Sequence, residues 1–165
     1  MDASFGERRA VLRPADVSEV EALTELSLRS KAHWGYDDDF VAACREELTV
    51  RPEHVETHRL VVAAPTTTTP PVGFYGLVGT TDDDAELSAL FVEPEVIGTG
   101  VGRLLFDDAV RVVRSIGVRQ FRIEADPFAA GFYESMGAIP TGATPSHSIP
   151  GRSLPVYVMD VPASS

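Results

Sequence analysis

A run of glycines between a strand pattern and a helical pattern constrains the fold of this chain more than any other sequence feature. The stretch from Leu87 to Gly102 reads LSALFVEPEVIGTGVG, and its glycines alternate at Gly98, Gly100 and Gly102. Apolar residues then recur at helical spacing as far as Ile116. The first amides of a helix have no partner within it, and with the helix dipole they favour a phosphate. We therefore expect a strand–loop–helix unit that binds a phosphorylated ligand.

The composition indicates one globular domain over residues 1–165, because 44% of the residues are apolar and can form a sizeable core. The net charge of −11 and the single lysine, Lys31, exclude a typical nucleic-acid binder, which needs clustered basic residues. One cysteine allows neither an internal disulfide nor a cysteine metal cluster. The four histidines lack metal-ligand spacing, so we expect no metal.

No apolar run approaches the ~20 residues that cross a bilayer. The N-terminal stretch also lacks the apolar centre of a secretion signal. We therefore expect a cytoplasmic protein with no membrane partner.

Hydrophobic periodicity predicts a mixed α/β domain built on one sheet. Strands are predicted at Arg9–Arg13, His58–Ala64, Val72–Gly79, Ala85–Val92, Arg119–Glu124, Ala138–Ala143 and Leu154–Val161. Helices are predicted to start at Asp16 or Ser18, to cover Asp37–Leu48 and Pro127–Met136, and to follow the glycines as far as Ile116. This order gives about seven strands with about four helices on the faces of the sheet.

Two classes of phosphate-binding loop fit the glycines poorly. A dinucleotide-binding site needs GxGxxG directly after a strand, but Arg103 stands where the last glycine should be, and Pro94–Ile97 intervene. Glu124 and Asp126 do lie near the position where that class places an acidic residue. A P-loop needs Gly-Lys-Ser/Thr, and the run has no lysine.

Two motifs in the right order resemble the GNAT superfamily of N-acetyltransferases. Val92-Glu93-Pro94 followed by Ile97-Gly98-Thr99-Gly100-Val101-Gly102 is similar to the family's Val-x-Pro strand end and Arg/Gln-x-x-Gly-x-Gly/Ala loop. The stretch from Asp126 to Tyr133, DPFAAGFY, is similar to Asn-x-x-Ala-x-x-Phe/Leu-Tyr. Ile97 and Asp126 depart from the family pattern, and we expect coenzyme A binding to survive both changes. The resemblance covers nearly the whole chain and implies the GNAT fold, with a mixed, mostly antiparallel sheet.

The resemblance implies acetyl-CoA as co-substrate, with its pantetheine arm between the fourth and fifth strands and its pyrophosphate on the glycine loop. The residues implied to contact it are Leu90, Phe91, Val92, Gly98, Thr99, Gly100, Val101, Gly102, Arg103, Asp126, Ala129, Phe132 and Tyr133.

The resemblance also implies direct transfer of the acetyl group to an amine. Tyr133 matches the family tyrosine that donates a proton to, or hydrogen-bonds, the coenzyme A sulfur. Glu86 lies where some family members place a catalytic glutamate, and Glu124 is the alternative base. Other family members use water chains with no single base.

The acceptor pocket is expected between the segment joining the first two helices and the loop joining the last two strands. The segment provides His33, Trp34 and Tyr36, and the loop provides Arg152. Trp34 could instead cap the core, and Arg152 could bind a substrate carboxylate or pair with a surface acid.

We therefore predict an N-acetyltransferase that acts on a primary amine of a small-molecule or amino-acid-like acceptor. Two alternatives remain: an acetyltransferase for protein or peptide lysines or N-termini, and a non-catalytic coenzyme A-binding module. A homodimer through the C-terminal strands is plausible for the family.

Overall fold

Seven strands pair into one mixed sheet in the computed structural model, which describes residues 10–81 and 84–162. They are β1 (Val11–Pro14), β2 (Val61–Ala64), β3 (Gly73–Thr81), β4 (Asp84–Val92), β5 (Gln120–Glu124), β6 (Ile139–Pro145) and β7 (Ser153–Asp160). Their order across the sheet is β1-β2-β3-β4-β5-β7-β6, and of these neighbours only β4 and β5 are parallel. The predicted mixed, mostly antiparallel sheet is confirmed.

The described residues also form five α-helices. They are α1 (Val20–Ala32), α2 (Asp38–Leu48), α3 (His54–Thr57), α4 (Val101–Ser115) and α5 (Ala130–Ser135). Short 3-10 turns at Val17–Glu19 and Pro127–Ala129 lead into α1 and α5, and a third at Pro94–Val96 follows β4. In the part of the chain that is described, no helix is long and apolar enough to cross a membrane.

Helix α3 is the element that the sequence prediction missed. The strand predicted from His58 begins only at Val61, because the backbone at His58 closes α3 by donating to the carbonyl of His54 at 2.9 Å. The other predicted elements are present with ends shifted by a few residues. Arg9, where the first strand was predicted to start, lies outside the described residues.

Two aspartates fix the starts of the first two helices. Asp16 accepts a hydrogen bond from the amide of Ser18 at 2.9 Å, while the Glu19 carboxylate accepts one from the amide of Asp16 at 2.9 Å. This reciprocal pair is a capping box. Asp37 caps α2 by accepting from the amide of Phe40 at 2.8 Å. The acidic residues of these turns are explained by capping and by the helix dipole.

The core has a layer on each face of the sheet. On one face, the apolar stripe of α4, with Leu105 and Phe106 fully buried, packs against Leu77 and Phe121 of the strands. The other face is covered by α1. Its buried leucines, among them Leu23, contribute about 1.5 to 3 kcal/mol each.

A β-bulge in β4 interrupts the ladder between β3 and β4. Gly76 lies opposite Ala89, but the next residue of β3, Leu77, lies opposite Leu87, so Ser88 has no residue opposite it. An extra residue bends a strand and increases its twist. The bend therefore lies just where β4 begins to separate from β5.

We expect Gly76→Ala to destabilise the fold by about 1 to 3 kcal/mol, because the added carbon overpacks the bulge. A Cβ at this position would lie 2.7 Å from Ser88 Oγ, 3.0 Å from Leu60 Cδ2 and 3.2 Å from the His58 carbonyl. Urea unfolding measures the change. Gly131→Ala is the control, since its Cβ would meet nothing within 4 Å and helices favour alanine over glycine. Equal stability for the two variants would contradict the role given to Gly76.

Candidate active site

A cavity opens where β4 and β5 separate. Within the described chain these strands pair only at Glu86–Arg122 and Leu87–Ile123. Beyond these pairs lies a cavity of about 530 Å³ that Ala89–Val92 border on one side, while their other side pairs with β3. Backbone donors and acceptors without a strand partner favour a ligand that contains amides. Leu90, Phe91 and Val92, the predicted pantetheine contacts, all line this cavity.

The glycine loop lies at one end of the cavity and leads into α4. Gly98 and Gly100 have φ angles of +86° and +97°, a region that other residues rarely adopt. Gly100 is the N-cap of α4 and supplies no side chain, so the first amides of that helix are left for a ligand. Gly98, Gly100, Gly102 and Arg103 line the cavity. This end fits a pyrophosphate without help from the apolar side chain of Ile97.

Two predicted contacts in the loop do not line the cavity. The hydroxyl of Thr99 donates a hydrogen bond to the carbonyl of Val96 at 2.5 Å, and this bond stabilises the loop. Val101 is fully buried against the sheet, so only its backbone amide could serve a ligand. The predictions for these residues therefore concern their main-chain groups.

Tyr133 lies on α5, beside the gap between the strands. Its side chain is only 6% exposed and it lines the cavity. The ring packs among Phe106, Phe132 and Tyr157, with centroids 6.0, 5.2 and 6.3 Å away. Burial and the negative charge of Asp126 raise the pKa of Tyr133, so the hydroxyl stays protonated at neutral pH and can donate.

Phe132, which belongs to the second motif, packs against the start of α4 in the first. A Cβ on Gly102 would lie 3.5 Å from the Phe132 ring, so this ring covers the start of α4. Phe132 and Ala129, both predicted as coenzyme contacts, line the cavity. The glycine loop before α4 and the motif that contains α5 thus form adjacent walls of the cavity.

Asp126 has more partners than its predicted coenzyme contact suggests. One carboxylate oxygen accepts from Lys31 Nζ at 2.7 Å, and both accept from the Tyr36 hydroxyl at 3.1 Å. Arg152 Nη2 lies 3.5 Å away, and the amide of Phe128 donates at 2.9 Å. Burial alone would raise the pKa of Asp126, but the bonds from Lys31, the amide and Tyr36 outweigh it and lower the pKa. Asp126 is therefore ionised at neutral pH.

Of the four predicted acceptor residues, Trp34 and Arg152 line the cavity, and His33 and Tyr36 do not. Trp34 lines it and stacks on Phe128, with centroids 5.7 Å apart and planes 6° apart. Arg152 lines it too, over the ring of Tyr36 at 5.1 Å. Tyr36 stays outside the lining, and the His33 ring packs edge-on against Trp34, with centroids 5.0 Å apart. Sequence reasoning missed other lining residues, namely Lys31, Cys44, Glu47 and Leu154.

The two candidate bases share one arginine. Arg122 Nη1 lies 3.7 Å from Glu86 Oε2 and donates a short hydrogen bond to Glu124. Glu124 lines the cavity, and Glu86, on the neighbouring strand, does not. Burial and the charge of Glu124 raise the pKa of Glu86, against the opposing effects of Arg122 and His147. Such a carboxylate is a better proton acceptor near neutral pH than an ordinary one.

The comparison with protein families agrees with the fold. Residues 29–146 match the family model of the acetyltransferase (GNAT) domain. The chain therefore belongs to the GNAT acetyltransferases, which confirms the family that its motifs resemble.

Individual proteins resemble this chain at low sequence identity. The chain is 32% identical over 92 residues to YjaB, a peptidyl-lysine N-acetyltransferase of Salmonella typhimurium, and the match spans 56% of this chain and 58% of that protein. Among solved structures, a GCN5-related N-acetyltransferase from Rhodopseudomonas palustris superposes with a TM-score of 0.74 at 20% identity, covering 91% of this chain and 94% of the other. PaiA N-acetyltransferase of Thermoplasma acidophilum, solved with coenzyme A, gives a TM-score of 0.67 at 16% identity, covering 92% and 98%.

We expect Gly100→Ala to weaken coenzyme A binding about tenfold, which is a loss of about 1.4 kcal/mol. A Cβ at φ +97° strains the loop and moves the amides that start α4. Isothermal titration calorimetry with coenzyme A measures the change.

Gly117→Ala is the matched control for this variant. Gly117 has a φ of +82°, and a Cβ on it would also meet nothing within 4 Å, but it follows the other end of α4. Both variants should lose similar stability, about 1 to 2 kcal/mol, and only Gly100→Ala should lose affinity. Equal affinities would show that the loop does not hold the ligand.

Proposed function

We propose that this chain is an N-acetyltransferase that transfers the acetyl group of acetyl-CoA directly to a primary amine of a small-molecule or amino-acid-like acceptor. One observation supports this above all. A single cavity extends from the glycine loop, past Tyr133, to Trp34 and Arg152, so donor and acceptor would share one space. Holding both reactants together replaces a covalent enzyme intermediate.

Acetyl-CoA fits the donor half of the cavity. The first amides of α4 and the glycine loop would hold its pyrophosphate, and the free edge of β4 at Leu90–Val92 would pair with its pantetheine amides. The bound coenzyme would supply an acetyl group activated as a thioester. The structure of PaiA with coenzyme A supports this assignment.

The protein's own groups provide the proton transfers. Tyr133 is protonated and lines the cavity, so it donates a hydrogen to the departing sulfur. Glu86, aided by Glu124, takes a proton from the acceptor amine through water, because Glu124 lines the cavity and Glu86 does not. A main-chain amide at the free edge of β4 polarises the carbonyl that is attacked.

A peptidyl-lysine acceptor is the second candidate, because YjaB acts on peptidyl-lysine. The contacts of Lys31 and Arg152 with Asp126 favour a small acceptor, since they tie α1 to the loop between β6 and β7 beside the cavity. A thiol-release assay with acetyl-CoA and panels of amines, amino acids and peptides tests both candidates. Release with peptides alone would refute the first. The cytoplasmic location and the homodimer stay predictions.

We expect Tyr133→Phe to lower kcat about a hundredfold with little change in acceptor KM, because it removes a donor needed mainly in the transition state. Steady-state kinetics measure both constants. Tyr157→Phe is the matched control, since its hydroxyl donates to Glu134 and the residue does not line the cavity. An unchanged kcat in Tyr133→Phe would exclude this tyrosine as the proton donor.

The raised pKa of Glu86 predicts an acidic limb in the pH profile of kcat/KM. Glu86→Gln should abolish that limb and lower the rate. Glu124→Gln should move the limb to lower pH, because removing the neighbouring charge lowers the pKa of Glu86. The opposite pattern, with the limb lost only in Glu124→Gln, would make Glu124 the base.

A further inference from the structure

Two partly buried cations that line the cavity share a single carboxylate. The side chains of Lys31 and Asp126 are 12% and 14% exposed, and Lys31 is the only lysine in the chain. Arg152, 17% exposed, approaches the same oxygen of Asp126 at 3.5 Å. The cluster of Lys31, Asp126 and Arg152 therefore has a surplus positive charge, within a chain of net charge −11.

Aromatic rings hold both cations in place. Lys31 Nζ lies 5.4 Å from the centroid of the Tyr36 ring, and the Arg152 guanidinium lies 5.1 Å from it and 4.9 Å from the Phe40 ring. The Tyr36 hydroxyl accepts from Arg152 and donates to Asp126. Such contacts fix the cations before a ligand arrives, which lowers the entropic cost of binding one.

Arg152 keeps donors for a ligand. Its hydrogen bond to Tyr36 and its ion pair with Asp126 both use Nη2, so Nε and Nη1 stay available as donors. In the described part of the chain, the one buried side-chain nitrogen or oxygen without a partner is Arg13 Nε. The free nitrogens of Arg152 are therefore accessible, and Arg152 and Lys31 both line the cavity. A guanidinium and an ammonium at fixed positions are well suited to a carboxylate.

Negative groups line the same cavity elsewhere. Glu47 accepts a hydrogen bond from the Ser148 hydroxyl, and Glu124 borders the gap between β4 and β5. An acceptor with an amine and a carboxylate would therefore find both carboxylates and cations among the side chains that line the cavity. A plain amine would leave the surplus positive charge of the cluster without a second anion.

We propose that Lys31 and Arg152 form a subsite for the acceptor's carboxylate, so that the acceptor is a free amino acid or a similar amino carboxylate. This inference rests on the acetyltransferase function proposed above. It disfavours a lysine inside a peptide, whose neighbouring groups are neutral amides. Asp126 and Tyr36 position the two cations and do not contact the acceptor themselves.

The test compares amino acids with the amines that remain when the α-carboxylate is removed. Phenylalanine with 2-phenylethylamine is one pair, chosen because Trp34 and Phe128 form an aromatic wall; leucine with 3-methylbutylamine and lysine with 1,5-diaminopentane are the others. Calorimetry in the presence of coenzyme A measures binding of the N-acetylated product of each compound, so the result does not depend on turnover. The thiol-release assay measures kcat/KM in parallel.

The N-acetyl amino acid of at least one pair should bind at least tenfold more tightly than its partner, and Arg152→Met should remove most of the preference. Arg152→Lys keeps the positive charge but loses the two parallel donors of the guanidinium, so it should retain part of the preference. If Arg152→Met does not fold, Arg152→Lys takes its place in the test. Arg45→Met is the matched control, because Arg45 is 56% exposed, pairs with Glu25 and does not line the cavity.

No preference for the carboxylate in any pair, or a preference that survives Arg152→Met unchanged, would overturn the subsite. Preferential binding of N-acetyl amino acids without acetylation of any amine would support the subsite and refute the acetyltransferase proposal. The two failures are thus distinguishable.

Discussion

The separation of β4 from β5 after two residue pairs is the constraint on which the site depends. Parallel strands need a crossover, and α4 provides it, so both strands end at the same edge of the sheet. The glycine loop follows β4 at that edge, and the turn at Asp126 follows β5. The topology therefore brings two motifs together that lie far apart in sequence. The gap between the strands leaves backbone groups of β4 for a ligand that reaches both.

Local patterns in the sequence predicted most of this arrangement. The glycine loop, the helix start at Asp16 and the apolar stripe of α4 depend on neighbours within a few residues, and each lies where its pattern indicated. Asp37, predicted as the first residue of the second helix, is its N-cap. The bulge at Ser88 has no local signature, because it is set by the register with β3. Helix α3 is a single turn, too short to show a helical period.

Local sequence patterns could not predict the cluster of Lys31, Asp126 and Arg152 either. Lys31 and Asp126 are 95 positions apart, so no motif joins them. The motif comparison showed only that Asp126 replaces an asparagine. Burying that charge without a partner would cost several kcal/mol, and the partner that offsets this cost is on α1. The one signal in the sequence was a single lysine beside Trp34, in the segment where helical periodicity fails.

The proposed division of roles follows from what the reaction does to charge. Acetylation converts the acceptor amine into a neutral amide and leaves a carboxylate unchanged. Lys31 and Arg152 would therefore bind substrate, transition state and product almost equally, which lowers KM without raising kcat. In the proposed mechanism, rate enhancement comes from groups whose interactions change during transfer, namely Tyr133 at the sulfur and the glutamates at the amine. The positive and negative groups of the cavity would then be complementary to the carboxylate and the amine of one acceptor.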